Sequence, residues 1–243
     1  MHEKVNKAVS ALRTRLHEIY GEDFLALVLY GSAAGNAYRA DVSDINVLII
    51  LEKNCAGNVF KLGKTAQTTL RKYRIAPFIM TRSEFVSALD VFPLEFCDIL
   101  DRHTVVHGDT KILDISISRN NLRHEIEEKL RGTVNDIHGM ILAAQGNEKI
   151  LSKFLAGWSG MGGILFRGLL RLKGKDISGL DAQAIIGETE KAYGVPLESF
   201  AMLNELRHNK KPLTIAASAF ADTILEPLNA LIRIVDAMDG GAA

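Results

Sequence analysis

Apolar residues are spaced in two different ways along the chain, and the spacing changes near its middle. In the first half, short runs of branched and aromatic residues alternate with segments that have an apolar residue every three or four positions. Such runs are typical of buried strands, and the longer spacing is typical of amphipathic helices. The pattern predicts strands over residues 24–30, 45–51, 75–81 and 103–107, and helices over residues 4–20 and 58–73.

Single residues add detail to this pattern. Pro77 indicates that the third strand lies at the edge of the sheet, because proline cannot donate a hydrogen bond to a neighbouring strand. Ser32 and Ser83 precede short apolar segments and are predicted to cap short helices, over residues 33–38 and around residues 85–89.

From about residue 116 only the helical spacing remains. It predicts a long helix over residues 122–144, a second over 148–172, shorter ones over 180–193 and 197–207, and a last one from Pro212 to residue 238. We therefore predict an α+β protein with two domains. Residues 1–113 form a mixed sheet with flanking helices, and residues 114–243 form an all-helical bundle.

The composition is that of an ordinary globular protein. Hydrophobic residues make up 47% and charged residues 24%, and the 29 basic residues balance the 29 acidic ones. This balance gives no electrostatic reason to expect nucleic acid or an anionic membrane as a partner. No apolar run approaches the roughly 18 residues that span a bilayer.

The N-terminal segment and the two cysteines lead to an expectation about the compartment of the protein and the redox state of its thiols. The N-terminal segment has charged residues throughout and lacks the apolar core of a signal peptide. Cys55 and Cys97 have neither metal-site nor disulfide spacing, so we expect reduced thiols and a cytoplasmic protein.

The candidate chemistry lies in residues 27–51, with the sequence LVLYGSAAGNAYRADVSDINVLIIL. One apolar run ends at Gly31-Ser32, and another begins directly after Asp44, which follows Gly31 by 13 residues. Asp44 and Asn46 are two positions apart, so on a strand they share a face at a spacing of about 7 Å. Their carboxylate and amide oxygens are both ligands that Mg²⁺ accepts.

This order of elements resembles the nucleotidyltransferase superfamily of DNA polymerase β, in particular its small bacterial members and the kanamycin nucleotidyltransferase type. Their signature is a Gly-Ser pair followed, at about this interval, by Asp-x-Asp, often within Ser-Asp-Ile-Asp. Here the second motif reads Ser43-Asp44-Ile45-Asn46. The resemblance covers about residues 24–108 and implies a polymerase β-like domain, which a helical domain follows in the kanamycin type.

The resemblance also implies roles for the matching residues. Gly31, Ser32 and Ser43 would bind the nucleotide phosphates, with glycine allowing close approach. Asp44 and Asn46 would be the catalytic pair and would hold Mg²⁺ that arrives with the nucleotide. In the family, paired metals clamp the triphosphate and activate the attacking hydroxyl. The implied partners are a nucleoside triphosphate and a hydroxyl acceptor, either a small molecule or a protein; a homo-oligomer stays open.

Two features depart from the family pattern. Asn46 replaces the second aspartate with a neutral amide, and the run 75–81, where the family has its third acid, contains none. Acids that follow this run are Glu84, Glu95, Asp98 and Asp101. A solvated or salt-bridged surface is the alternative interpretation for Glu95 and Asp98.

A general base is also implied by the resemblance. In kanamycin-type enzymes it is a glutamate of the helical domain, for which Glu125 and Glu128 on the predicted long helix are the candidates here. The alternative is that both lie on a solvated helix face.

Two functions therefore compete. The first is Mg-dependent transfer of a nucleoside monophosphate from the triphosphate to a hydroxyl. The second is a catalytically degenerate module that binds nucleotide, or a protein partner, in a regulatory or antitoxin-like role.

Overall fold

Two units make up the chain in the computed structural model, residues 1–117 and residues 118–243. The model describes residues 2–35, 38, 43–158, 162–177, 179–209 and 213–238. The boundary predicted from the sequence, after residue 113, lies just before the boundary between the units. That each unit folds as an independent domain stays a prediction.

A four-stranded mixed sheet with flanking helices forms unit 1. Its strands are β1 (Phe24–Tyr30), β2 (Ile45–Leu51), β3 (Ile75–Thr81) and β4 (His103–His107), and its helices are α1 (Glu3–Tyr20), α2 (Ala56–Tyr73), α3 (Arg82–Ser87) and α4 (Pro93–Asp101). The strand order is β3-β2-β1-β4. β1 runs antiparallel to β2 and β4, and β2 runs parallel to β3. The four predicted strands are confirmed, and Pro77 lies on an edge strand as predicted.

Both faces of this sheet are covered, which explains why β1 and β2 are apolar runs without alternation. Odd-numbered strand residues such as Leu27 and Val47 pack against α1 and α2. Even-numbered residues such as Val28 and Leu48 pack against Phe85 of α3 and Phe96 of α4. The sheet therefore has two distinct faces, and the face that carries even-numbered residues is the one on which Asn46 lies.

Unit 2 consists of helices in the described residues. They are α5 (Arg119–Ala143), α6 (Glu148–Trp158), α7 (Gly162–Leu172), α8 (Ala182–Tyr193), α9 (Glu198–Asn209) and α10 (Ala217–Asp236). The predicted α+β class with a helical bundle after the sheet is confirmed. Of the single helix predicted over residues 148–172, the described residues form α6 and α7, and residues 159–161 lie outside the described part, as does Pro212, predicted to precede the last helix. In the described part of the chain, no helix combines the length and the apolar character needed to cross a membrane.

The two short helices differ from prediction at their first residues. Gly31–Ala34 forms a single turn of 3₁₀ helix, whereas a helix over residues 33–38 was predicted, with residues 36 and 37 outside the described part. The cap of α3 is Thr81, and not Ser83 as predicted. Thr81 accepts from the backbone N–H of Glu84 at 3.2 Å, and the Glu84 carboxylate accepts from the backbone N–H of Thr81 at 2.7 Å. This reciprocal capping box satisfies two helix-terminal donors at once, which a serine two residues later cannot do.

Helix α10 contains Pro227, which cannot donate the usual hydrogen bond to the carbonyl of Thr223. Ser199, which is 7% exposed, donates its hydroxyl to that carbonyl at 2.8 Å. A side chain outside α10 thus replaces the bond that the proline removes.

We expect Ser199→Ala to lower the free energy of unfolding by about 1–3 kcal/mol, because the Thr223 carbonyl loses its donor. In a Pro227→Ala background the loss should fall below about 1 kcal/mol, since alanine supplies the missing backbone N–H. Urea unfolding of the four proteins of this double-mutant cycle measures the difference. Equal losses in both backgrounds would contradict the explanation.

Candidate nucleotide site

Gly31 directly follows the last residue of β1 and begins the turn that leads away from the sheet. This residue has φ of +70°, a conformation that L-residues with a side chain rarely adopt. Its backbone N–H donates to the carbonyl of Arg102 at 3.0 Å. The Gly31 amide is therefore already engaged within the chain, and phosphate contacts at this turn have to come from groups such as the half-buried Ser32 hydroxyl.

Asn46 brings the two halves of the sequence motif together. It pairs with Tyr30 across β1 and β2, so it lies beside the Gly-Ser turn although it is distant in sequence. A Cβ atom built on Gly31 would lie 3.5 Å from the side-chain nitrogen of Asn46. A side chain at residue 31 would thus be in van der Waals contact with this amide.

Asp44 lies one residue before β2 and forms an ion pair with Arg74. The Arg74 Nε donates to the Asp44 Oδ1 at 2.8 Å, and the two side chains are 48% and 54% exposed. Arg74 is the left-handed residue that ends α2, and its carbonyl accepts from the backbone N–H of Ile45 at 2.9 Å. The main chain therefore fixes the guanidinium stem next to the carboxylate.

Tyr38 lies close to this ion pair. Burial raises the pKa of its phenol; the Arg74 charge lowers it and the Asp44 charge raises it, so both groups are within electrostatic reach. The Tyr38 hydroxyl is buried and has no hydrogen-bond partner among the described residues. Its ring contacts the ring of His2, with centroids 5.4 Å apart.

The strand beside Asn46 offers no acid. In the parallel pairing of β2 with β3, Asn46 lies opposite Ala76, which is exposed. A carboxylate at residue 76 would therefore be adjacent to Asn46 on the same face of the sheet. The resemblance leads one to expect an acid on this strand, and residues 75–81 contain none.

Among the downstream acids, Glu95 is linked to the Gly-Ser turn by a hydrogen bond to Tyr30. The Tyr30 hydroxyl donates to the Glu95 Oε1 at 2.8 Å, and Tyr30 directly precedes Gly31. Burial raises the pKa of Tyr30, and the Glu95 charge raises it further. Because Tyr30 and Asn46 are paired, Glu95 is anchored above the same face of the sheet.

The remaining predicted residues lie as follows. Ser43 is half-buried and precedes Asp44. Glu125 and Glu128 lie on α5, where Glu125 is half-buried and Glu128 is 70% exposed, 3.3 Å from the Lys129 ammonium. Their assignment as a general base stays a prediction.

The donor set does not fit a resident pair of divalent metals. Among the residues of this edge that the structure describes, Asp44 is the one carboxylate and already has a cationic partner, Asn46 contributes a neutral amide oxygen, and Ala76 contributes nothing. Within the described ranges, no three His, Cys, Asp or Glu residues are grouped so that they could hold a metal ion.

No protein-family model and no curated protein sequence matches the chain. Among solved structures, spectinomycin adenyltransferase from Enterococcus faecialis, determined with ATP and spectinomycin, is similar with a TM-score of 0.56. The likeness covers 95% of this chain and 99% of that protein, at 10% sequence identity. The fold is the polymerase β-like fold of this adenyltransferase. At this identity the likeness establishes the fold, and it extends over both units.

Sequence reasoning missed Arg74. The signal that could have found it is a basic residue directly before β3, the strand that pairs with β2 and on which the resemblance implies the third acid. That signal becomes readable only once β2 and β3 are known to be parallel and in register.

Proposed function

We propose that the chain is a nucleotidyltransferase-type protein that binds a nucleoside triphosphate at the Gly31-Ser32 turn, beside Asp44 and Asn46. The observation that supports it best is the pairing of Asn46 with Tyr30, the residue before Gly31, since it brings both parts of the motif to one edge of the sheet. The similar adenyltransferase binds ATP, and its likeness to this chain extends over nearly the full length of both proteins.

The chemistry around the turn suits triphosphate binding more than metal-assisted catalysis. Ser32 offers a hydroxyl, Asn46 an amide that can donate, and Arg74 a cation. Catalysis by two metals requires several carboxylates to balance the charge of the ions, and this edge of the sheet offers Asp44. Nucleotide binding without fast transfer is the function that this set of groups supports.

Transfer to a hydroxyl is the second candidate, favoured by the retained Asp44 and by the likeness to a protein that binds both ATP and a small-molecule acceptor. In that reaction the acceptor oxygen bonds to the α-phosphorus and pyrophosphate leaves. The hydroxyl proton passes to a base, for which Glu125 and Glu128 are the candidates. Mg²⁺ would arrive with the nucleotide, and the acceptor would be a small molecule or a protein.

Asn46→Asp tests the site directly. It places a second carboxylate on the face that contains Asn46, so we expect it to increase the gain in triphosphate affinity on adding Mg²⁺ by about tenfold. Titration calorimetry with ATP, GTP, CTP and UTP, each with Mg²⁺ and with EDTA, measures this gain. Asn120→Asp, at an exposed position of α5, is the matched control and should leave the gain unchanged.

The same titrations decide between the candidates. Binding of a triphosphate by the unmodified chain, without release of pyrophosphate, supports the proposed function. Release of pyrophosphate with candidate hydroxyl acceptors would favour transfer. Failure of all four triphosphates to bind, with Mg²⁺ and without, would overturn the proposal.

A further inference from the structure

The Arg74 guanidinium lies beside Asp44, the carboxylate for which the family resemblance implies a bound metal cation. Its Nε is 2.8 Å from the Asp44 Oδ1, a distance typical of a charge-assisted hydrogen bond. The residue opposite Asn46, Ala76, is two positions after Arg74 on the adjacent strand. Of the three acids that the family resemblance implies, this chain has one at Asp44, has an amide at Asn46, and has none on the strand 75–81, which directly follows Arg74.

We infer that Arg74 takes the place of the divalent metal, so that the chain binds the triphosphate itself and not its magnesium complex. This inference rests on the proposed function, since it concerns the same nucleotide. Arg74 is a binding residue in this view, and Asp44 is the group that holds it ready in the absence of nucleotide.

Charge balance favours a single monovalent cation at this edge. In the absence of nucleotide, one guanidinium neutralises Asp44, the one carboxylate among the described residues at this edge, whereas a divalent ion there would add its charge to that of Arg74. Like charges close together disfavour each other, so Arg74 in its observed position opposes metal binding at Asp44.

The geometry also lets Arg74 reach a phosphate. The ion pair is about half exposed, and exposed ion pairs contribute little to stability, so exchanging the carboxylate for a phosphate costs little. Arginine is suited to the exchange because its planar guanidinium can bind two phosphate oxygens at once. Its backbone stays in place meanwhile, because the Arg74 N–H and carbonyl are both hydrogen bonded to the chain.

The experiment compares triphosphate affinity in Mg²⁺ and in EDTA. Calorimetry would use the unmodified full chain and its Arg74→Ala, Arg74→Lys and Arg82→Ala variants, with the triphosphate that binds best. Arg82 is the matched control, since it also forms an exposed ion pair, with Glu52 at 3.5 Å, at the opposite end of β3. Thermal unfolding of each variant verifies that it is folded.

We expect the unmodified chain to bind more tightly in EDTA than in Mg²⁺, because excess Mg²⁺ converts the free triphosphate into its complex and so lowers the concentration of the form that binds. Arg74→Ala should weaken binding in EDTA by about tenfold or more, with a smaller loss in Mg²⁺, because the metal can then use Asp44. Arg74→Lys should lie between the two, since it keeps the charge without the bidentate geometry. Arg82→Ala should bind as the unmodified chain does.

The outcomes separate the two proposals. Binding that requires Mg²⁺ in the unmodified chain, or unchanged affinity of folded Arg74→Ala in EDTA, would overturn the inference and leave the proposed function standing. No triphosphate binding under either condition would overturn both.

Discussion

Gly108→Ala should lower the free energy of unfolding of unit 1 by about 3 kcal/mol or more. A Cβ atom on Gly108 would lie 2.3 Å from the carbonyl oxygen of Leu25 and 2.9 Å from the Cβ atom of Ala26, both in β1. Residue 108 also has φ of +96°, which strains any residue with a side chain. Overpacking costs about 1–3 kcal/mol and the backbone conformation about 1–2 kcal/mol more.

The destabilisation would arise because Gly108, directly after β4, closely approaches the backbone of β1. Because the nearest atoms belong to backbone, the clash cannot be relieved by rotating a side chain, and the β1–β4 pairing has to shift. Urea unfolding followed by circular dichroism measures the effect. Gly63→Ala is the control in the same unit: Gly63 is exposed within α2 with open space around it, so the substitution should stabilise by about 0.5–1 kcal/mol. A Gly108→Ala protein as stable as the original would contradict the close approach.

Gly31→Ala should weaken triphosphate binding by about thirtyfold, the equivalent of about 2 kcal/mol. Alanine disfavours φ of +70°, so the turn that presents Ser32 should move away from Asn46. The new methyl group would also lie 3.5 Å from the Asn46 side-chain nitrogen, where we propose that the phosphate binds.

The control for Gly31→Ala should be a glycine that also has a positive φ but lies outside the proposed nucleotide site. Gly194, which ends α8 with φ of +64° and no atom within 4 Å of a built Cβ, meets that need. Gly194→Ala should lose about 1 kcal/mol of stability and keep its triphosphate affinity. Calorimetry on both variants, after verifying that each is folded, decides the matter. Affinity retained in Gly31→Ala would show that the turn does not contact the nucleotide.

The strands were predictable because their signal is local. β1 and β2 are buried on both faces, so burial alone requires the continuous apolar runs that the sequence displays. The ends of helices were less predictable, since several residues compete for a cap. Thr81 caps α3 in preference to Ser83 because Glu84 completes a reciprocal pair of hydrogen bonds with Thr81.

The candidate site was predictable only in the part that a short motif encodes. Gly31, Asp44 and Asn46 were recognisable from their order and spacing. Arg74 was not, because its proximity to Asp44 depends on the turn that ends α2 and on the register of β3 against β2. A contact between residues 44 and 74 arises from strand pairing, which leaves no periodic trace in the sequence.

The position of Pro77 on β3 has a consequence for self-association. An edge strand presents N–H and carbonyl groups that can pair with a strand of another molecule, which is a route to aggregation. Pro77 has no N–H to offer, and it is one of the two exposed residues of β3, next to Ala76. The outer edge of the sheet is thus a poor template for a second chain, which protects an otherwise very apolar sheet from growing strand by strand into aggregates.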